Sequence, residues 1–178
     1  AYIPLTHRAA ASDDLFGSDA LAEGQMDMDE ALAILKPLLS DPAVMKIGQN
    51  MKYDAKIFAR HGIAVAPIDD TMLMSYALNS GIHGHGMDTL SERYLSHVPI
   101  PIKDLLGSGK SAITFDKVPI DEAVKYAAED ADITLRLHRH LWPRLEAEPS
   151  LARIMREIEV PLVGVLARME QAGVLIDG

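Results

Sequence analysis

The spacing of apolar and polar positions changes along the chain between short apolar runs and helical periodicity. Apolar runs over residues 44–48 and 63–68 predict short strands. Apolar positions at i, i+3 and i+4 over residues 51–60 and 72–78 predict the helices that follow those strands. This strand-helix-strand-helix order predicts an α/β fold in which one sheet is backed by helices.

Polar residues at the starts of the apolar patterns predict where the helices begin and end. Asn50, Asp70, Asp88 and Asp121 each stand where a side-chain cap would open a helix. Gly62 stands where a left-handed glycine would close the helix over residues 51–60. The helix opened by Asp121 is predicted to be the longest and to end near Trp142-Pro143.

The two ends of the chain follow less regular patterns. Residues 1–5 predict the end of a strand, residues 9–27 a loop, and residues 30–39 a helix whose last turn Pro37 disturbs. Residues 98–102, with two prolines, predict an extended segment. Residues 151–171 predict a final helical stretch, broken or kinked at Pro161 and stopped at Gly173.

The longest predicted helix carries a candidate site. Tyr126 and Asp130 are four residues apart, so on a helix they project from one face. Ala123, Ala127 and Ala131 repeat at the same spacing and predict a ridge of small residues that lets a neighbouring element approach closely. Asp130 would then lie at the edge of a packed seam, either as a metal ligand or as part of an acidic, solvated first turn.

Composition limits the classes of function. The 178 residues carry a net charge of −9, which argues against a protein that holds nucleic acid on a broad basic surface. A metal-dependent nuclease stays open, because divalent cations can neutralise phosphate. The chain has no cysteine, which excludes disulfides and thiolate metal sites. Its longest apolar run is too short to span a membrane, so we expect a soluble, cytoplasmic protein.

A second cluster of polar residues follows the strand predicted at residues 44–48. Gln49, Asn50, Lys52, Tyr53 and Asp54 stand at a strand-to-helix turn, a place where α/β proteins commonly bind ligands. The amides could hold a sugar or phosphate, and the tyrosine ring could stack on a base. The alternative is that Asn50 only caps the helix and Asp54 only faces water.

Two further motifs are weaker. His83 and His85 lie in a glycine-rich loop, but no third ligand clusters with them in the sequence. Residues 107–111 match the last positions of the phosphate-binding loop motif. However, Asp104 stands where that motif needs glycine. We therefore predict no metal site at the histidines and no nucleotide-binding loop.

Three separated motifs in a fixed order carry a family resemblance. They are residues 49–54 (Gln-Asn-Met-Lys-Tyr-Asp), residues 70–73 (Asp-Thr-Met-Leu) and residues 126–132 (Tyr-Ala-Ala-Glu-Asp-Ala-Asp). Together they resemble the proofreading 3′–5′ exonuclease domain of family A DNA polymerases, the family of bacterial DNA polymerase I. The end of the chain, from Ile158 to Asp177, resembles the opening of the polymerase region of that family.

The resemblance implies a ribonuclease H-like 3′–5′ exonuclease fold, a mixed sheet with flanking helices, and a two-metal phosphodiesterase. It implies that Asp54 and Asp130 each help to hold a divalent ion and that Tyr126 orients the attacking water. The ions would be Mg²⁺ or Mn²⁺, with Zn²⁺ as a further candidate, and they would activate that water and stabilise the leaving 3′ oxygen. Gln49, Asn50 and Tyr53 match positions near the frayed 3′ end of single-stranded DNA.

The chain departs from this family at its first motif. Relatives carry Asp-x-Glu on the opening strand, and the present sequence contains no Asp-x-Glu. The nearest form, Asp27-x-Asp29, lies in a polar loop, so we expect that the N-terminal strands are missing and that this chain alone has little or no activity. Either the domain is truncated, or it is a degenerate, non-catalytic scaffold that contacts DNA and braces the polymerase.

The resemblance also implies an organisation and a set of partners. Residues 1–150 would form the exonuclease-like domain, and residues 151–178 would begin the polymerase region. The partners would be the 3′ end of DNA during replication and repair and the polymerase domain of the same parent chain, in the bacterial nucleoid. A ribonuclease D-like exoribonuclease shares the motifs, but the tail from Glu157 argues against it. Missing edge strands would also allow a homodimer through the exposed sheet edge.

Overall fold

The computed structural model describes residues 2–9 and 20–175. Its α-helices are α1 (Met28–Ser40), α2 (Met51–Arg60), α3 (Thr71–Asn79), α4 (Met87–Leu95), α5 (Ile102–Leu106), α6 (Ile120–Glu146), α7 (Pro149–Ile154) and α8 (Val160–Ala172). Its strands are β1 (Lys46–Gly48) and β2 (Ile68–Asp70). The described chain is thus predominantly helical, with a small two-stranded sheet whose strands precede and follow α2 in the sequence.

The chain divides into two compact units. The first unit combines Ala1–Leu35 with Pro99–Ala131, and the second combines Lys36–Val98 with Asp132–Gly178. Each unit is therefore built from two segments that are distant in sequence.

In the first unit, the imidazole of His7 is the buried polar centre. Its Nδ1 lies 2.8 Å from the carbonyl oxygen of Val118, and its Nε2 is hydrogen-bonded to the hydroxyl of Tyr2. Arg8 forms one antiparallel bridge with Leu21. These contacts fix a non-helical segment onto the start of α6.

The strand predicted at residues 1–5 is absent over residues 2–5. The carbonyl of Pro4 accepts an isolated hydrogen bond from Met26 N–H at 3.3 Å, and no ladder continues from it. A strand needs a partner with successive hydrogen bonds, and the short apolar run alone could not reveal that. Residue 1 lies outside the described residues, as do residues 10–19 of the predicted loop.

The second unit contains a short parallel sheet and a helical core. β1 pairs with β2 in the register Lys46–Ile68, Ile47–Asp69 and Gly48–Asp70. The fully buried core lies on α3, α4, α6 and the turn after α7. Its large members are Met74, Leu90, Ile133, Leu137, Leu141, Leu145 and Met155.

Both strands are shorter than the apolar runs that predict them. The run over residues 44–48 forms a strand only from Lys46, and the run over residues 63–68 is strand only at Ile68. The Ala66–Pro67 peptide bond is cis, and proline donates no ladder hydrogen bond. The β2 strand therefore begins after Pro67 and extends to Asp70.

The helix over residues 51–60 forms with the predicted bounds, while other ends differ. Asp88 and Asp121 lie inside the first turns of α4 and α6 and do not cap them, because each helix begins one residue earlier. α6 also continues past Pro143 to Glu146. Leu141 and Leu145 are fully buried on either side of this proline, so core packing supports the last turn.

Other deviations concern the chain ends. α1 passes through Pro37 to Ser40, and α5 begins inside the segment predicted to be extended. The interruption predicted at Pro161 occurs one turn earlier, as a π-helical turn over Met155–Glu159. Gly173, with φ 73°, ends α8 as predicted.

Candidate active site

The turn from β1 into α2 is built around a left-handed residue. Asn50 has φ 61° and ψ 48°, and its side chain makes no capping hydrogen bond, so the predicted side-chain cap is wrong. Non-glycine residues rarely occupy this region, and asparagine is among the few that tolerate it. The turn brings the backbone N–H groups of Asn50 and Met51 toward the end of β2.

Asp70 supplies the cap that Asn50 does not. Its Oδ1 accepts from Asn50 N–H at 3.0 Å and from Met72 N–H at 2.9 Å, and its Oδ2 accepts from Met51 N–H at 2.8 Å. A longer bond of 3.4 Å comes from Leu73 N–H. One carboxylate therefore opens both α2 and α3. Because these donors occupy it, Asp70 does not present a free oxygen to a metal.

Burial has an electrostatic consequence for Asp70. The residue is 1% exposed, and desolvation raises the pKa of its carboxyl, while the four backbone N–H donors partly offset that rise. The turn thus contains a buried carboxylate that is stabilised by backbone dipoles and not by a cation.

Asp54 lies in the first turn of α2, near this buried carboxylate. Desolvation raises the pKa of the Asp54 carboxyl, its own backbone N–H lowers the pKa, and repulsion from Asp70 raises the pKa further. Asp54 makes no ion pair with another described residue. A divalent cation would relieve this unfavourable charge, so the carboxylate suits a metal ligand.

The other predicted residues of this turn have different surroundings. The Gln49 amide is held at both ends, because Nε2 donates to the His85 carbonyl at 2.8 Å and Oε1 accepts from the Thr71 hydroxyl. The side chain of Tyr53 is 60% exposed, as stacking on a base requires. Gln49 thus has one amide hydrogen left for a ligand, whereas Tyr53 presents its ring.

The sequence did not predict the ion pairs that two lysines of α2 form close to Asp54 in the sequence. Lys52 and Lys56, one turn apart on α2, both form ion pairs with Glu170 on α8. The i, i+4 spacing of the lysines was a visible signal, but their partner is more than a hundred residues away. Lys52 was predicted only as a cation at the turn, and here its charge is directed to α8.

Tyr126 and Asp130 lie on α6 in the first unit, one helical turn apart as predicted. Both are half-buried, and the ring centroid of Tyr126 lies 6.1 Å from that of Phe115. Between them in sequence, Glu129 accepts a hydrogen bond of 2.6 Å from Ile100 N–H. Of the alanines predicted to form a packed ridge, Ala123 is fully buried and Ala131 is exposed.

No group of three histidine, aspartate or glutamate side chains within residues 2–9 and 20–175 is arranged to hold a metal ion. The rings of His83 and His85 lie 5.2 Å apart. His85 Nδ1 is 2.9 Å from Ser75 Oγ, and His83 Nε2 is 3.1 Å from the Tyr94 hydroxyl. These histidines therefore connect the loop to α3 and α4 by hydrogen bonds.

Comparison with known proteins identifies the family of this chain. A family model described as 3′-5′ exonuclease matches residues 10–146. The chain is 51% identical over 177 residues to DNA polymerase I of Rhizobium leguminosarum and 46% identical over 180 residues to that of Pseudomonas aeruginosa. Each match covers 99% of this chain but only 17% and 19% of the respective relative, so the chain spans about a fifth of their length.

Solved structures agree with the fold. The POL domain of Pol1 from M. smegmatis, in complex with DNA primer-template and dNTP, matches with a TM-score of 0.67 and 25% identity, over 85% of this chain and 23% of that chain. NrnC of Brucella melitensis matches with a TM-score of 0.62 and 20% identity, over 89% of this chain and 73% of that chain. The predicted ribonuclease H-like exonuclease fold is confirmed.

The described helices include none with the length and hydropathy that a membrane span requires. The matched family, the whole-chain likeness to bacterial polymerases and the fold all agree with the resemblance carried by the three motifs. This chain belongs to the 3′–5′ exonuclease domain family of bacterial DNA polymerase I.

Proposed function

We propose that this chain is the proofreading domain of its parent polymerase, which removes 3′-terminal nucleotides from DNA by metal-dependent hydrolysis. The observation that supports this function best is the state of Asp54. It combines a pKa raised by desolvation and by Asp70 with the lack of an ion pair to any described residue. A carboxylate in that state binds a divalent cation more readily than one already paired with lysine.

The chain supplies some of the ligands that a two-metal site needs. Asp54 and Asp130 supply hard carboxylate oxygens, which Mg²⁺ and Mn²⁺ prefer. Asp70 is fully engaged by backbone donors, and the sequence contains no Asp-x-Glu to add further ligands. We therefore expect the 178-residue chain alone to show little or no nuclease activity.

The bound cations would lower the pKa of a coordinated water and stabilise charge on the leaving oxygen. In this proposal Asp54 and Asp130 hold the cations, and the Tyr126 hydroxyl orients the water. The water oxygen would attack phosphorus while the bond from phosphorus to the 3′ oxygen breaks. The water would give up a proton to solvent and the 3′ oxygen would take one up, so a nucleoside 5′-monophosphate leaves and the shortened strand ends in a 3′ hydroxyl. Tyr53 and the spare hydrogen of Gln49 contact the frayed end, and Asn50 shapes the turn.

A metal titration tests the role of Asp54 without relying on activity. Calorimetric titration of Mn²⁺ should show binding that Asp54→Asn weakens by about tenfold or more, since a charged ligand is lost. Asp104→Asn removes the same charge from exposed α5 and should leave Mn²⁺ binding unchanged. Equal Mn²⁺ affinity in all three proteins would contradict a metal site at Asp54.

The alternative is a non-catalytic domain that braces the polymerase and contacts DNA. The lack of a three-ligand group among the described residues favours it. The protein encoded by the complete gene distinguishes the two functions. Asp54→Ala should abolish Mg²⁺-dependent removal of a mismatched 3′ nucleotide if the domain proofreads, and should leave replication fidelity unchanged if the domain is a scaffold.

We further propose that the relatives' organisation applies here: residues 1–150 form the exonuclease-like domain, and residues 151–178 lead into a polymerase region. The likeness to DNA polymerases I over nearly the whole chain supports a polymerase partner in the same polypeptide, acting in the bacterial cytoplasm at the nucleoid. In the described chain, however, α8 is held to α2 by Glu170, so the proposed linker helix also contributes to the second unit.

We also propose that the free edge of β1 allows two copies to associate. In the described part of the chain, β1 pairs with β2 on one side alone. An unpaired strand edge can bind a second strand. Light scattering should show a dimer at high protein concentration, and a monomer at every concentration would contradict this pairing.

A further inference from the structure

Basic side chains surround the ring of Tyr94 in the second unit. Arg144 Cζ lies 5.2 Å and Arg93 Cζ 5.9 Å from the ring centroid of Tyr94. The rings of His140 and His83 lie 5.1 Å and 5.9 Å from it. We call these five residues the Tyr94 cluster. They come from α4, α6 and the loop between α3 and α4.

The two guanidinium groups of the cluster have no acidic partner within ion-pair distance. Neither side chain forms a hydrogen bond or ion pair with another residue of the described chain. By contrast, Arg136 pairs with Asp132 at 3.4 Å, and Arg156 pairs with Glu146 at 3.4 Å. In a chain of net charge −9, two exposed guanidinium groups therefore lie against one ring without an ion pair to a described residue.

The cluster is also held in place before any ligand arrives. The Tyr94 hydroxyl accepts from Asn79 Nδ2 at 3.1 Å and is hydrogen-bonded to His83 Nε2 at 3.1 Å. His140 and Arg144 are one turn apart on α6, next to the fully buried Leu141 and Leu145. A fixed ring that orients two guanidinium groups reduces the conformational entropy lost on binding.

We propose that the Tyr94 cluster binds the phosphodiester backbone of single-stranded DNA, outside the turn that carries Asp54. Arginine suits this ligand because its planar fork donates two parallel hydrogen bonds to a phosphate. The two guanidinium carbons lie 5.2 Å and 5.9 Å from one ring centroid, so the charges are concentrated in one small patch, which matches neighbouring phosphates of one strand. The choice of DNA as the phosphate carrier rests on the proposed function.

Fluorescence anisotropy with labelled oligo(dT) tests the cluster, with EDTA present so that no metal site contributes. The double variant Arg93→Gln/Arg144→Gln should bind about tenfold more weakly at low salt. The slope of log affinity against log salt should fall by about 1.4, or about 0.7 for each lost phosphate contact. Arg139→Gln, one residue before His140 on α6 but exposed on a different face, should change neither quantity.

The charge-preserving variant Arg93→Lys/Arg144→Lys should keep most of the salt slope, which separates lost charge from a folding defect. Equal binding by the Gln double variant and the unmodified protein would overturn the proposal. So would equal weakening by Arg139→Gln, tighter binding of duplex than of oligo(dT), or displacement of oligo(dT) by polyglutamate at matched charge.

The experiments distinguish failure of this inference from failure of the proposed function. If Asp54→Ala has no effect on 3′-end removal in the complete protein while the cluster variant still loses oligo(dT) binding, only the catalytic role fails. If 3′-end removal depends on Asp54 but the cluster variant binds normally, only the present inference fails.

Discussion

A single carboxylate organises the strand-to-helix turn of the candidate site. Asp70 receives backbone N–H groups from the start of α2 and from the start of α3, although these segments are about twenty residues apart. The positions of the two helix starts and the negative charge inside the turn therefore both depend on the buried carboxylate of Asp70. Desolvation is the main cause of the raised pKa of Asp54, and repulsion from Asp70 adds to it, so the Asp54 carboxylate gains from binding a cation.

Replacing Asp70 by asparagine should destabilise the second unit. The amide oxygen can take the place of Oδ1, but the NH₂ group would then face Met51 N–H, which Oδ2 now accepts at 2.8 Å. A buried donor left without an acceptor costs about 1–3 kcal/mol. Urea unfolding should show this loss for Asp70→Asn. The exposed control Asp104→Asn should stay within about 0.5 kcal/mol of the unmodified chain.

Replacing Asp54 by asparagine should instead stabilise the folded chain at neutral pH. The folded chain raises the pKa of Asp54, so its ionised form is disfavoured, and the chain loses stability as pH rises through the folded pKa. Asp54→Asn should melt about 1–3 °C higher at pH 7, a small gain because the group is exposed to solvent.

The pH dependence distinguishes this effect from better packing. Below about pH 4 the aspartate is protonated in the folded and unfolded chains, so the gain from Asp54→Asn should vanish. Thermal melts at pH 7 and pH 3.5 provide the comparison. A gain of equal size at both pH values would show that the disfavoured charge of Asp54 is not its cause.

The sequence predicted the residues of this turn better than their roles. Asn50 and Asp70 both stood at helix starts, and only Asp70 caps with its side chain. Local pattern could not show that Asn50 adopts a left-handed backbone and that its N–H donates to a carboxylate twenty positions later. That outcome depends on the parallel pairing of β1 with β2, which is a long-range contact.

Among the elements, helices followed their periodicity more closely than strands followed their apolar runs. The bounds of α2 match the prediction, because its apolar spacing and Gly62 act locally. Both strands are three residues long, since pairing limits them and the apolar runs extend beyond the paired region. The end of α6 was missed for a similar reason, as buried Leu145 lies after Pro143.

The contact between α2 and α8 depends on charge and predicts a local effect of Glu170→Gln. Hydrogen bonds from Lys52 and Lys56 lower the pKa of the Glu170 carboxyl. Removing its charge should speed amide hydrogen exchange in the last two turns of α8 and leave α3 unchanged. Glu157→Gln, which removes an exposed charge from the π-helical turn, is the matched control and should not affect exchange in α8.

The lowered pKa of Glu170 determines how the stabilising effect of its ion pairs changes with pH. Its stabilising effect is fully present above the unfolded glutamate value of about 4.3 and is lost as pH falls through the lower folded value. Salt should weaken the effect as well, because the three side chains are partly exposed. Unchanged exchange in α8 on acidification and in high salt would contradict a role for this ion pair.

At the scale of the whole molecule, the three motifs correctly predicted the family, but sequence similarity did not predict which residues pack together. The tail from residue 151 resembles the opening of a polymerase region. Yet Met155 is fully buried in the core of the second unit, and Val163 and Ala167 are buried as well. Sequence similarity of the tail reflects its common ancestry with polymerases, whereas its packing depends on which apolar surfaces it contacts.

Truncation tests how much of the second unit depends on this tail. A chain that ends after Glu148 loses the buried side chains of Ala152, Met155, Val163 and Ala167 and exposes the surfaces they cover. Burial of each larger side chain contributes about 1.5–3 kcal/mol, against a typical total stability of about 5–15 kcal/mol. We expect the truncated chain to melt at least about 10 °C lower, measured by circular dichroism.

A shorter truncation provides the control, because the last described residues of the tail are exposed. Val174 and Leu175 are 90% and 96% exposed, so a chain that ends after Ala172 should melt at the same temperature as the complete chain. If the chain ending after Glu148 also melts unchanged, the tail is energetically independent of the second unit. In that case the domain boundary expected at residue 150 would also be a boundary of stability.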